Sequence, residues 1–103
     1  MAQFARQSVP RFASSTTSTQ ETGDNIGVMT QITIPAGATS VLISCITTGP
    51  VYIDPVGATT TEGIILGSGA GDIPHIFIEL GGGATISMEA ASSDKANFIW
   101  MYD

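Results

Sequence analysis

The last third of the chain constrains the fold more than any other part. It contains three runs rich in β-branched and aromatic residues, 73–80, 84–89 and 96–102, which are separated by three glycines at 81–83 and by a Ser-Asp-Lys turn. Such residues fit a pleated, half-buried surface, whereas the residues between the runs favour turns. The pattern predicts three successive antiparallel strands arranged as a meander.

The closing strand of this region is unusually apolar. Phe98, Trp100 and Tyr102 alternate with Ile99 and Met101, so that both faces carry large apolar side chains. Burial of three aromatic side chains, at about 200 Å² each and about 25 cal/mol per Å², would contribute at most about 15 kcal/mol before chain entropy is subtracted. We therefore expect Phe98, Trp100 and Tyr102 to lie in a core strand or in an oligomer interface.

Upstream segments also show strand patterns. Ile26, Val28, Ile32 and Ile34 share one parity, as expected for a strand with one face in the core, and 41–46 is apolar on both parities, as expected for a central strand covered on each side. Shorter strands are predicted at 51–53 and 59–66, between turns rich in Gly and Pro. No segment has apolar residues at helical spacing over three turns, so the sequence predicts an all-β, antiparallel sandwich or barrel.

The first 25 residues differ from the rest. Residues 14–20 form a polar Ser/Thr tract with little to bury, and Pro10 disfavours a helix before it. We expect an extended or flexible arm at 1–25 and a β-sandwich domain at 26–103. Near its start the arm carries two aromatic and two arginine side chains suited to binding a partner, Phe4, Arg6, Arg11 and Phe12. The alternative is a frayed terminus without a function.

Charge and cysteine content narrow the partners and the compartment. Three Lys and Arg residues stand against nine Asp and Glu residues, a formal net charge of −6. An acidic body repels phosphate backbones, so nucleic acid is not an expected partner. The single cysteine, Cys45, lies in an apolar run and is expected to be buried. The start of the chain lacks the apolar region of a secretory signal and no run has the length of a membrane span, so we expect no membrane partner and assembly in a cytoplasm.

The residues that could carry chemistry are scattered. The glycine-rich loop 67–71 resembles a phosphate-binding loop, but a strand follows it in place of the required helix. His75 is the only histidine, and the acidic residues occur singly, without the spacing of a calcium loop. We predict no catalytic residues, no cofactor and no metal, and hence no enzyme, although loops that meet at one end of a sandwich could still bring carboxylates together.

Three segments of the chain, 34–44, 49–53 and 78–88, resemble small structural proteins of tailed bacteriophages, especially capsid decoration or cement proteins. The resemblance covers about residues 26–103 and consists of strands joined by turns of small residues. It implies a jelly-roll-like β-sandwich, a homotrimer at threefold positions of the capsid, and terminal arms that reach over neighbouring capsomers. It also implies the major capsid protein or other virion proteins as partners, and a location on the capsid surface after assembly in the host cytoplasm.

Other interpretations of the sequence remain open. The protein could be a head-to-tail or tail/fibre component of the virion, or a carbohydrate- or receptor-binding β-sandwich that uses Tyr52 and Trp100, the only candidate aromatic pair. The two strands that are apolar on both sides predict a homo-oligomer, with a compact monomer as the alternative.

Overall fold

The fold consists of β-strands joined by short loops. The computed structural model describes residues 15–54 and 63–103, and within these ranges it contains eight strands and no helix. The strands are β1 (Ser15–Thr22), β2 (Thr30–Thr33), β3 (Ala38–Cys45), β4 (Val51–Asp54), β5 (Ile64–Leu66), β6 (His75–Glu79), β7 (Thr85–Ala90) and β8 (Lys95–Tyr102).

The strands form two antiparallel sheets of four. The first sheet has the order β1-β8-β3-β6 and the second has the order β2-β7-β4-β5. Strand β1 therefore pairs with β8, β2 with β7, β3 with β6 and β4 with β5, as in a long hairpin wrapped around a common core. Eight strands connected in this way form a jelly roll. The all-β, jelly-roll-like antiparallel sandwich predicted from the sequence is confirmed.

The core lies between the two sheets and follows the two-residue period of the strands. In the first sheet Val41, Ile43, Phe98 and Trp100 point inward and are at most 1% exposed. The rings of Phe98 and Trp100 stack, with centroids 5.6 Å apart. Other buried apolar residues complete the core from both sheets: Ile32, Cys45, Val51, Ile53, Leu66, Ile86, Met88, Ala90 and Ala96. The expected burial of Cys45 is confirmed.

The meander expected for the last third of the chain is wrong. Strands β6 and β8 belong to the first sheet, whereas β7 belongs to the second. The glycines at 81–83 therefore connect the two sheets and do not close a hairpin. The crossing lets the inward side chains of consecutive strands, such as Ile76 on β6 and Ile86 on β7, join one core from opposite sides.

Part of the predicted arm belongs to the sandwich. Strand β1 lies inside the 1–25 range, and it pairs with β8 along its whole length, from Ser15 opposite Tyr102 to Thr22 opposite Lys95. Threonine fits a strand well despite its hydroxyl, and β1 provides hydrogen-bond partners for the backbone groups along one side of β8. Residues 1–14, with the predicted binding residues Phe4, Arg6, Arg11 and Phe12, lie outside the described residues.

Two further expectations need correction. The strand expected from Ile26 begins at Thr30, because Ile26 lies in a tight turn and is 54% exposed. Strand β3 is central, as predicted, but only its inward side is fully buried, since Leu42 is half-buried and Ile46 is exposed on the other side. Of the strand predicted at 59–66, the structure has Ile64–Leu66, and residues 59–62 lie outside the described ranges.

Candidate functional site

The outward side of the first sheet carries the largest set of apolar side chains left uncovered on a regular element. Strand register places Phe77 of β6 opposite Leu42 of β3, Leu42 opposite Ile99 of β8, and Ile99 opposite Ser18 of β1. Directly paired residues of neighbouring strands project from the same side of a sheet. These four residues therefore form one row, which we call the central row.

The rows on either side of the central row are more polar. One contains Glu79, Ser40, Met101 and Thr16, and the other contains His75, Ser44, Asn97 and Gln20. We use the name outer apolar face for Leu42, Phe77, Ile99 and Met101. The face is a stripe across three strands, bordered by short polar side chains.

Phe77 is the most exposed member of the outer apolar face. Its side chain projects away from the core and the residue is 48% exposed, while Leu42, Ile99 and Met101 are half-buried by their neighbours. Covering the remaining surface of one phenylalanine would contribute about 2 kcal/mol. The exposed ring of Phe77 does not stabilise a monomer, whereas covering it with another protein would stabilise the complex.

The charge on this side of the first sheet is close to zero. Glu79 is the one carboxylate that the strands of this sheet present on the outward side, and Lys95 is the one ammonium group, so they sum to zero although the chain carries −6. The other acidic residues of the described ranges lie elsewhere, and three of them, Asp54, Glu89 and Asp94, are buried. A surface with few long charged side chains loses little side-chain entropy when it is covered.

A second candidate is the end of the sandwich where four loops meet, 23–29, 46–50, 67–74 and 91–94. Asp94 is 8% exposed, and its Oδ1 accepts hydrogen bonds from the Thr47 hydroxyl at 2.7 Å and from the Gly49 N–H at 3.0 Å. The Thr47 hydroxyl oxygen in turn accepts from the Lys95 N–H at 3.0 Å. The buried carboxylate of Asp94 therefore joins the 91–94 loop to the 46–50 loop.

A shallow cavity of about 280 Å³ opens beside these loops, and it is lined by Thr48, Gly49, Pro50, Ile65, Leu66, Gly67 and Asp72. Its volume lies at the lower limit of ligand pockets. Among the described residues, Asp72 is the only ionisable group that lines the cavity, and it accepts a hydrogen bond from Gly69 N–H at 3.1 Å and so shapes the loop that carries it. As predicted, the 67–71 loop leads into a strand, β6, and not into a helix.

A third candidate is a line of buried polar residues on the outward side of the second sheet. Glu89 is 3% exposed, and its Oε2 accepts a hydrogen bond from the Gly27 N–H at 2.7 Å. The Ser87 hydroxyl accepts from the Gln31 amide at 2.8 Å. These contacts hold the turn before β2, and strand β2 itself, against β7. The buried side chains of Glu89 and Ser87 therefore have a structural role.

The described residues contain no group of three or more His, Cys, Asp or Glu side chains that could hold a metal ion. His75 lies exposed at the start of β6, on the outward side of the first sheet. In the same part of the chain, no helix has the length and hydropathy needed to cross a membrane.

The aromatic residues singled out from the sequence have different positions. Phe98 and Trp100 lie in the core, and Tyr102, at the end of β8, is half-buried against the core, with its hydroxyl 2.8 Å from that of Thr17. The pair of Tyr52 and Trp100 considered for glycan binding does not form a surface. Trp100 is 1% exposed between the sheets, whereas Tyr52 lies on the outward side of the second sheet.

The sequence analysis missed Phe77. The signal was present in the strand 75–79, where the inward, half-buried positions hold Ile76 and Ile78 and the outward positions hold His75, Phe77 and Glu79. An aromatic residue in the polar register of an alternating strand indicates an outward apolar side chain. The run was interpreted as a generally apolar strand, and this parity was overlooked.

Comparison of this chain with protein families, with curated proteins and with solved structures gives no match.

Proposed function

We propose that this protein is a non-enzymatic structural protein of a virion, a capsid decoration or cement protein that binds and stabilises a bacteriophage head as a homo-oligomer. The observation that carries the proposal is the outer apolar face on a jelly-roll scaffold. Jelly rolls recur in viral capsid domains, and an apolar stripe with almost no net charge is suited to covering another protein surface.

The polar groups of the described residues support a structural role over a catalytic one. Asp94, Asp72 and Glu89 each accept hydrogen bonds from the chain's own backbone or side chains. A catalytic acid or base must face a substrate in a cleft, with a partner that sets its protonation. In this protein these three carboxylates hold loops and turns together.

In this proposal the partner is the major capsid protein or another virion protein, and the protein acts on the capsid surface. Residues 1–14 would supply the contact with the capsid through Phe4, Arg6, Arg11 and Phe12, and the outer apolar face would join copies of the protein. Arginine and aromatic side chains are over-represented among residues that dominate binding energy. The excess of carboxylates elsewhere on the chain argues against nucleic acid as the partner.

Binding to heads that lack the protein tests this proposal. Purified wild-type protein is expected to pellet with such heads and to raise the temperature at which they release DNA, because a bound cement protein stabilises the assembled state. Failure to pellet with heads or with any other part of the particle contradicts the proposal. Binding to tails alone would favour the alternative of a tail or head-to-tail component.

The contribution of the arm can be tested in the full-length chain. The variant F4A/R6A/R11A/F12A is expected to bind heads at least about tenfold more weakly, since several anchor side chains are removed together. A matched control, Q3A/Q7A/S8A, changes the same segment without removing an aromatic or charged group. Equal loss of binding in both variants would contradict the role of the four residues.

A further inference from the structure

We infer that the outer apolar face binds a second copy of this chain, with a twofold axis along the central row of Phe77, Leu42 and Ile99. The inference rests on the homo-oligomer of the proposed function and specifies its interface. It differs from the threefold arrangement implied by the resemblance to phage proteins, because the hydrogen-bonding side chains on β6 fit a twofold axis.

A hydrogen-bond donor, the His75 imidazole, and an acceptor, the Glu79 carboxylate, stand at equal distances from Phe77 on β6. His75 and Glu79 lie on β6 two residues before and two residues after Phe77, and all three side chains project outward. A twofold axis along the central row reverses the direction of β6 in the second copy. His75 of each copy is then opposite Glu79 of the other, so the interface contains this pair twice.

Strand geometry allows this pairing between copies and prevents it within one chain. Residues four apart on a strand are separated by about 13 Å, which is too far for a direct hydrogen bond between their side chains. Sheets that pack face to face lie about 10 Å apart, a distance that two long side chains pointing toward each other can span. The complementary groups on β6 can therefore meet only across an interface.

The central row gives the interface an apolar middle. Phe77 would pack against Phe77 of the second copy, and Leu42 and Ile99 would likewise meet their own equivalents at the axis. Around them lie Ser40, Ser44 and other short polar side chains, which suit the solvent-accessible rim of an interface. Because Glu79 and Lys95 balance on this side of the sheet, the net charge of −6 does not concentrate at the contact.

The size of the face sets the strength expected of the dimer. Four strands at about 4.8 Å spacing and three rows at about 7 Å spacing give roughly 400 Å² per copy, or roughly 800 Å² in total. Specific, stable interfaces bury about 1,200–2,000 Å². The pair of copies should therefore be weak and reversible, dissociating in the range of tens to hundreds of micromolar when free in solution.

Sedimentation equilibrium of the full chain from 10 to 500 µM at moderate salt tests the inference. The wild-type protein is expected to show a monomer–dimer equilibrium. The variant F77K places two ammonium groups at the axis and should weaken dimerisation by at least about a hundredfold. The matched control I65K changes an apolar residue of similar exposure, 55%, on the outward side of the second sheet, and should leave the equilibrium unchanged.

A charge exchange tests the symmetry itself. The variant H75E places carboxylates opposite one another in the proposed dimer and should weaken it about tenfold. The double variant H75E/E79K places opposite charges next to each other only if position 75 of one copy faces position 79 of the other, so dimerisation should return to the wild-type level or exceed it. Circular dichroism of each variant checks that the sandwich is folded.

Several outcomes would overturn the inference: monomer throughout the concentration range, a trimer mass, equal effects of F77K and I65K, or a double variant no better than H75E. These outcomes are separable from failure of the proposed function. A monomer that still binds heads removes the twofold interface and leaves the decoration role. A dimer that binds no part of the particle leaves the interface and removes the role.

Discussion

Trp100 donates its indole N–H to the hydroxyl oxygen of Thr19 at 3.1 Å, and this bond links the largest fully buried side chain to edge strand β1. The polar Ser/Thr tract thus supports the core, because Thr19 accepts a hydrogen bond from the indole N–H, the one polar group of the Trp100 side chain. With the pairing to β8, the bond explains why β1 belongs to the sandwich although Ser15–Thr22 contains no apolar residue.

The first prediction concerns this bond. T19V keeps the shape of the side chain but leaves the indole N–H without its acceptor, so the free energy of unfolding should fall by about 1 kcal/mol. Urea unfolding followed by the fluorescence of Trp100, the only tryptophan, measures the change. T19S retains the hydroxyl and should lie closer to the wild type. Equal stability of T19V and the wild type would show that the bond contributes nothing.

The second prediction concerns the loop end of the sandwich. D94A removes the acceptor of both the Thr47 hydroxyl and the Gly49 N–H, and should lower the free energy of unfolding by about 2 kcal/mol, because charge-assisted hydrogen bonds in a buried site are lost. Asp24 is exposed in a neighbouring loop, so D24A serves as the control and should change stability by less than about 0.5 kcal/mol. Thermal unfolding of the two variants and the wild type measures the changes, and an equal loss of stability in D94A and D24A would contradict the prediction.

The third prediction compares two glycines. A Cβ at Gly23 would collide with the backbone carbonyl oxygens of Ala90 and Ala91, whereas a Cβ at Gly81 would meet no atom within 4 Å. G23A should therefore destabilise the fold by about 3 kcal/mol, because backbone atoms must shift to make room. G81A should be neutral or slightly stabilising, since it reduces the freedom of the unfolded chain. Similar unfolding midpoints for the two variants would be inconsistent with the close approach of the 23–29 and 91–94 loops.

The sequence was most informative where alternation is regular. Strands β7 and β8 are close to the predicted runs, and Phe98 and Trp100 lie in the core, one of the two positions expected for them. The topology was harder to predict, because glycines such as those at 81–83 suit a hairpin and a crossing between sheets equally well. Which strands pair depends on how the inward sides of the two sheets pack together in the core, and the local sequence does not determine this.

Strand β1 and the outer apolar face show the other limits of the sequence. Serine and threonine in a polar tract occur in disordered segments and in edge strands alike, and only the partner strand β8 distinguishes the two. Phe77 could have been recognised from its position between His75 and Glu79. Its neighbours Leu42 and Ile99 could not, since their alignment in one row depends on the register of three strands that are distant in sequence.

The most direct measurement of the central claim is a cryo-electron microscopy reconstruction of the intact particle at a resolution that shows strands. The account predicts copies of a sandwich with two four-stranded sheets on the outside of the head, in contact with the major capsid protein through residues 1–14 and with each other through the outer apolar face. A reconstruction in which every copy of the protein lies in the tail, or in which the particle contains no copy, would contradict it.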